Sequence, residues 1–367
     1  MIPYNDLSPI HRMLEEPLQA AVRRVLHSGW FVLGAEGEAF EQEFAAYCGT
    51  GHAVGVASGT DAVELTLRAT GIGPGDEVIT VSHTAVATVC AVELSGARPV
   101  LVDVDPKTLT MDPAAAEAAI TPRTRAILPV HLYGHPADVV ALRRIADAHG
   151  LLLIEDAAQA VGATVNGRPV GSFGHIAAVS FYPTKNLGAC GDAGAVLTDD
   201  PQMAEQVRQM RSYGQETRAN SLRRGINSRM DEMQAALLRV KMQYLDEHHL
   251  TRRRMAQCYS SQIQGVELPY EAPGVEHAYH LYVVRHPSRD ALQAELKSRG
   301  IGTAIHYPRP VHLQDAYTDL GFPLGSLPET ERAVQEILSL PLYIGLSDDQ
   351  IERVVAEVNE VASEVPA

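Results

Sequence analysis

The chain has 367 residues, of which 46% are hydrophobic and 20% charged, and carries a net charge of −15 at pH 7. Such a length supports a large domain and a smaller one, each with its own core, and the composition is that of an ordinary globular enzyme. The acidic balance argues against nucleic acid or an anionic membrane as a partner, because both require a basic face. Cys48, Cys90, Cys190 and Cys258 show no disulfide-framework or zinc spacing. No charged-then-apolar leader opens the sequence and no apolar run is long enough to cross a bilayer, so the expected location is the cytoplasm.

In chain order, the N-terminal stretch that contains Ser28-Gly29-Trp30 comes first and reads as a helix followed by a surface segment. From residue 52 onwards, short apolar runs alternate with helical patterns, as in a parallel α/β sheet. The runs are His52–Ala57, Glu77–Val81, Pro99–Val104, Arg125–Leu132, Leu151–Ile154, Ile176–Phe181 and Gly194–Leu197. Asp61–Ala69, Pro113–Ile120 and Pro136–His149 are the amphipathic connections, and Arg229–Glu247 reads as one long helix. The rhythm then changes to a compact α+β unit made of His280–Arg285, Arg289–Ser298, Thr303–His306, Glu331–Leu338 and Asp348–Val361. A domain boundary is placed near residue 248, in the polar run Glu247–Arg254, giving domains 1–248 and 249–367.

Three segments carry chemistry. Ala57-Ser58-Gly59-Thr60-Asp61-Ala62 follows a strand and opens a helix, which presents free N–H groups and the positive helix end to a phosphate; a simple N-cap is the competing reading. Leu151–Ile154 is a buried strand followed by Glu155-Asp156, at the carboxyl end where α/β sheets bind ligands. Asp156 there either holds a protonated ring nitrogen or caps the next helix. Lys185 lies in the Gly-rich stretch Ser180–Gly188, among apolar and turn-forming neighbours, where a lysine can act as a free amine on carbonyls. A phosphate cradle, a pyridinium partner and a Schiff-base amine are together the parts of a pyridoxal 5'-phosphate (PLP) enzyme. The amine is also placed to shuttle a proton at the reacting carbon.

The sequence resembles the DegT/DnrJ/StrS sugar aminotransferases over essentially its full length. The motifs that carry the resemblance, besides the three above, include Gly75-Asp76-Glu77-Val78-Ile79, Val102-Asp103-Val104-Asp105 and Ala119-Ile120-Thr121-Pro122-Arg123-Thr124. Further along come Pro129-Val130-His131-Leu132-Tyr133-Gly134 and Asn227-Ser228-Arg229-Met230-Asp231-Glu232. The resemblance implies a PLP-dependent transferase type I (aspartate aminotransferase-like) fold, with a large parallel-sheet domain and a smaller C-terminal α+β domain. It also implies a homodimer with shared active sites. It puts the Schiff base on Lys185 and the pyridinium contact on Asp156. Gln159 goes near the cofactor hydroxyl, and Gly59, Thr60 and Ser180 near the phosphate. Asn227 reaches that phosphate from the partner subunit. A histidine replaces this lysine in the family's dehydratase branch.

Ser82-His83-Thr84 and Ile305–Gln314 look like the members that aminate C-3 of dTDP-linked 3-keto-6-deoxyhexoses, with L-glutamate as donor and 2-oxoglutarate as product. Ala85 stands where relatives carry an aromatic, which makes His83 the candidate for stacking on the cofactor ring. Arg218-Ala219 replaces a Lys-Tyr pair. The substrate-contact candidates are Tyr182, Arg218, Arg229, His306, Tyr307 and His312. His306 and His312 lack the rest of a ligand set, so no metal is expected. The alternatives are a C-4 nucleotide-sugar or cyclitol (scyllo-inosose type) aminotransferase, a PLP lyase, racemase or decarboxylase, and a non-catalytic PLP sensor.

Overall fold

The computed structural model describes residues 1–366. Seven strands build the main sheet: β1 (His52–Val56), β2 (Glu77–Val81), β3 (Arg98–Val102), β4 (Thr124–Ile127), β5 (Leu152–Asp156), β6 (Ile176–Ser180) and β7 (Gly194–Thr198). Their order is β1-β7-β6-β5-β4-β2-β3. β2, β6 and β7 are buried at every position, which is why they read as continuous apolar runs rather than alternating ones. Helices Gly59–Ala69, Val86–Leu94 and Val139–His149 follow β1, β2 and β4 and pack against the sheet.

The sheet departs from the all-parallel expectation at one strand. β7 runs antiparallel to both β1 and β6. Residues 181–193, between β6 and β7, contain no helix, so the chain turns back directly instead of crossing over. Those residues form the Lys185 loop, closed by Phe181 N–H to Ala193 O (2.8 Å), Ala189 N–H to Phe181 O (2.7 Å) and Lys185 N–H to Tyr182 O (2.8 Å). Gly188 is required in this loop, because a Cβ there would lie 2.2 Å from Pro183 O.

The single helix expected over Arg229–Glu247 is two. Asn227 and Asp231 are used in bridges to Ser212 and Val32, which delays the first helix to Glu232–Met242. The chain then tightens through Tyr244 N–H to Lys241 O, and a second helix runs Leu245–Gln262. Residue 248 therefore falls in the first turn of that helix, whose Met255, Ala256 and Tyr259 enter the C-terminal core. In this core β8 (Tyr282–Arg285) pairs with β9 (Ile337–Leu340), flanked by helices Arg289–Ser298 and Asp348–Glu364. Glu331–Leu338 splits between a helix ending at Glu336 and the start of β9, and Thr303–His306 contributes only a bridge at Ala304. Ile2 bridges Ile301 and joins the C-terminal core, so the N-terminal segment packs on the C-terminal unit. Among the described residues, no helix is long and apolar enough to cross a membrane. All four cysteines are free thiols.

Candidate active site

The carboxyl ends of β1, β5 and β6 deliver Ser58-Gly59-Thr60, Asp156 and Ser180 to one cavity of about 220 Å³, which Gln159, Tyr182 and Lys185 also line. Ser58 caps the helix Gly59–Ala69 through its Oγ, which accepts from Asp61 N–H at 3.1 Å. The N–H groups of Gly59 and Thr60 belong to the first turn, which helix geometry leaves without intrahelical acceptors. Gly59 packs so closely on β6 that a Cβ would sit 2.6 Å from Ser180 Cβ. Ser58 thus meets the N-cap reading, and the first-turn N–H groups of Gly59 and Thr60 face the cavity side by side with it as the donors a phosphate would use.

Asp156 is buried. Its Oδ2 accepts from Thr88 Oγ1 at 2.8 Å and its Oδ1 from Ala158 N–H at 3.1 Å, so the carboxylate is fixed while each oxygen keeps a lone pair. Glu155, beside it on β5, serves the other side of the strand. It is fully buried against His131 Nε2 (3.0 Å) and the N–H of Gly171 (2.8 Å). Burial raises its pKa, but the histidine and the glycine amides outweigh that and hold the carboxyl below the usual range. Gln159 is oriented without ambiguity. Its Oε1 must face the donor Tyr133 N–H (2.8 Å), so Nε2 donates to Tyr307 Oη (3.0 Å) and keeps a second hydrogen.

Lys185 is half-buried and lines three cavities, two of them roomy and one of only about 30 Å³. Burial lowers its pKa to about 8, against the upward pull of the Asp156 carboxylate. The second cavity, of about 300 Å³, holds Tyr182, His306 and Tyr307 together with Tyr4, Arg252 and His280. His306 bonds Ser339 Oγ at 2.9 Å, and burial with the nearby Lys185 charge keeps its pKa down to about 4, so it is neutral.

The remaining expected residues lie elsewhere. His83 does not line the cavity. It is buried behind it, bonded to Tyr133 Oη at 2.9 Å and packed edge-on against that ring, and Ala85 lines the wall instead. Burial first, then the Arg285 charge against the pull of Asp103, takes its pKa down to about 4. That position does not suit a stacking role. His312 is also packed rather than presented: it bonds Ser82 Oγ (2.7 Å) and Glu331 (3.2 Å), tying the end of β2 to the C-terminal unit. Arg218 is exposed at the tip of a small hairpin, Arg229 lies over Tyr213, and Asn227 is exposed; none lines either cavity. Ser228, next to Asn227, bonds Ala57 N–H and Asp61, just behind the Ser58 turn. Among the described residues, no group of three or more His, Cys, Asp or Glu is placed to hold a metal ion.

Sequence reasoning missed Thr88, Tyr4, Arg252 and His280. Arg252 had a signal: His248, Arg252, Met255 and Tyr259 recur at helical spacing through the polar run and are all buried. The residues of the first cavity fit PLP. Gly59, Thr60 and Ser180 offer neutral donors for a phosphate, Asp156 a carboxylate for a pyridinium, and Lys185 an amine between them.

Residues 12–359 match the DegT/DnrJ/EryC1/StrS aminotransferase family. The chain is 52% identical over 358 residues to the erythromycin biosynthesis sensory transduction protein EryC1 of Saccharopolyspora erythraea, covering 97% of this chain and 98% of that protein. It is 50% identical to the dTDP-3-amino-3,4,6-trideoxy-alpha-D-glucose transaminase of Streptomyces venezuelae, covering 99% and 97%. The solved structure of S. venezuelae DesV in complex with a ketimine intermediate superposes with a TM-score of 0.97 at 50% identity, covering 100% of this chain and 99% of that one.

Proposed function

The chain belongs to the DegT/DnrJ/EryC1/StrS aminotransferase family, and from that premise we propose that it transfers an amino group from L-glutamate to C-3 of a dTDP-linked keto-deoxyhexose. It is a PLP-dependent sugar aminotransferase of the type I fold. The observation that carries the mechanism is the placement of Lys185, an amine of lowered pKa, in the same cavity as Asp156 and the Gly59-Thr60-Ser180 donors.

When bound, PLP supplies the electron sink for the bonds at the donor's α-carbon. In this reading Lys185 is the residue that would hold the cofactor through its amine and, as a free base, would carry the proton at the donor's α-carbon. Asp156 keeps the ring nitrogen protonated, which its bonds to Thr88 and Ala158 preorganise. Gln159 donates to the ring hydroxyl with its free amide hydrogen. Gly59, Thr60 and Ser180 bind the phosphate, and Tyr182, His306 and Tyr307 face the substrates from the second cavity.

The reading extends to the assembly. A phosphate carries close to two negative charges, and among the described residues Lys185 is the one cation that lines the cofactor cavity. Asn227 and Arg229 stand outside it: Asn227 bridges Ser212, Arg229 lies over the exposed Tyr213, and the exposed Trp30 and Phe31 lead into the Val32–Asp231 bridge. We infer a homodimer in which Asn227 completes the partner's phosphate site, with Arg229 and Arg218 on the side where a sugar nucleotide's diphosphate enters. Mixing Lys185→Ala with Asn227→Ala chains tests this: hybrids regain activity if sites are shared, because one site then carries both defects and the other none. If Asn227 serves its own chain, every hybrid site is defective and no activity returns. A cytoplasmic location, drawn from composition, is part of the same proposal.

The reaction is tested by following 2-oxoglutarate release from L-glutamate with a dTDP-linked 3-keto-6-deoxyhexose present. The C-3 proposal fails if product forms only from a 4-keto sugar or a cyclitol ketone. A purely sensory role, raised by the name of the Saccharopolyspora relative, predicts no turnover at all.

A further inference from the structure

Arg252 is a buried cation without a counter-charge. All its hydrogen bonds run from Nη1, to Tyr279 O (3.1 Å), His280 O (3.5 Å) and Leu342 O (3.2 Å). Among the described residues no carboxylate pairs with it, so Nε and Nη2, an edge that takes a carboxylate side-on, are uncommitted. Burial lowers its pKa to about 10, with only the Tyr4 hydroxyl opposing. An isolated charge removed from water is costly unless something offsets it.

Arg252 lines two cavities, and the one it shares with Asp6 and Lys241, about 30 Å³, is too small for an organic anion, so what offsets the charge enters through the other. That cavity, of about 300 Å³, has Lys185 as its other cationic residue, and among the described residues no acidic one lines it. His280 lies on the same wall, and its buried Nδ1 has no hydrogen-bond partner. Burial, then the Lys185 and Arg252 charges, hold His280 well below the ordinary histidine pKa, so it is a neutral hydrogen-bonding group between two cations. An anion seated there would meet a guanidinium, a neutral imidazole and the Tyr4 and Tyr307 hydroxyls. An amino acid suits the volume. A nucleotide-linked sugar is several times larger, and its diphosphate lies well away from its reacting carbon.

We propose that Arg252 anchors a carboxylate of the amino-acid donor, so that the cavity between Lys185 and Arg252 is the donor subsite. The proposal rests on the transaminase reading above and adds to it the residue that recognises the donor.

The test separates the two half-reactions on the holoenzyme. Single-turnover absorbance of the bound cofactor gives an apparent Kd for L-glutamate, for L-alanine, and for a dTDP-linked 3-amino sugar run in reverse. Arg252→Lys keeps the charge and loses the fork, and Arg252→Gln loses both. The expected result is an L-glutamate Kd raised about 10–100-fold, the worth of one charge-assisted pair, with the amino-sugar Kd unchanged. Loss for L-alanine as well assigns the α-carboxylate, and loss for L-glutamate alone assigns the side-chain carboxylate. Equal weakening of both half-reactions, or no change in either, overturns the proposal. Cofactor content and melting temperature identify a variant that has not folded; should Arg252→Gln fail in that way, Arg252→Lys decides. A parent enzyme that reacts with no amino acid sinks the transaminase reading and this proposal with it, whereas a reactive parent with unaltered variants sinks this proposal alone.

Discussion

On one side of Lys185 the polar groups are already paired. Asp156 takes Thr88 and Ala158, Gln159 is locked between Tyr133 and Tyr307, and Ser58 caps its helix. On the other side Arg252 rests on backbone carbonyls and His280 leaves a buried nitrogen bare. A cofactor that stays bound through every turnover can be met by fixed partners, and preorganised dipoles there need no rearrangement during reaction. Substrates that enter and leave must supply what the protein lacks, and an under-satisfied pocket gains more from a complementary ligand than a satisfied one does.

The sharpest way to break this contrast is Asp156→Asn. If the paired side exists to keep the ring nitrogen protonated, the variant folds and retains cofactor but loses turnover by about 10²–10⁴-fold. Near-normal kcat would remove the reason for the Thr88–Asp156–Ala158 network.

A smaller effect concerns the amine where the two sides meet. A lysine attacks a carbonyl only when uncharged, so a pKa lowered from 10.5 to about 8 moves the onset of reactivity down in pH. Reconstitution of the apoprotein with PLP should accelerate as pH rises through about 8 and level off above it. A rate still climbing toward pH 10 would place Lys185 in water rather than in the burial described here.

The smallest expected effect tests whether the two acids at the end of β5 are divided as described. Glu155→Gln should leave the activity of folded protein intact and cost about 1–3 kcal/mol of stability by chemical denaturation, as a buried charged hydrogen-bond partner is lost. Because the folded-state pKa of Glu155 is depressed, its contribution is fully present above the ordinary glutamate value of about 4.3 and is lost as pH falls through the folded value. The difference between parent and variant should therefore shrink on acidification below that value. A Glu155→Gln enzyme that folds normally but cannot turn over would reverse the roles of the two carboxylates.

The same contrast explains what was legible in the sequence. The paired side comes from strand ends and the loops that follow them, so Ser58–Thr60, Asp156 and Ser180–Lys185 each announce themselves within a few residues. The other side is assembled from Tyr4, Arg252, His280 and Tyr307, which no local pattern joins. Arg252 was hidden in a polar run that reads as a boundary and is a helix with one buried face. His83 and His312 misled for a related reason. A histidine next to a motif can equally be a packed hydrogen-bonding strut, and Tyr133, Ser82 and Glu331 make these two so. The antiparallel β7 was equally out of reach, because strand direction depends on what the connection does, and here residues 181–193 are spent on the Lys185 loop.

The most direct measurement is to reduce the cofactor-loaded enzyme with borohydride, digest it, and locate the modified lysine by mass spectrometry, with Lys185→Ala carried in parallel. The account predicts a single pyridoxyl adduct on Lys185, and in the variant a folded protein without adduct or turnover. An adduct on any other lysine of the parent, or turnover surviving in Lys185→Ala, would contradict it.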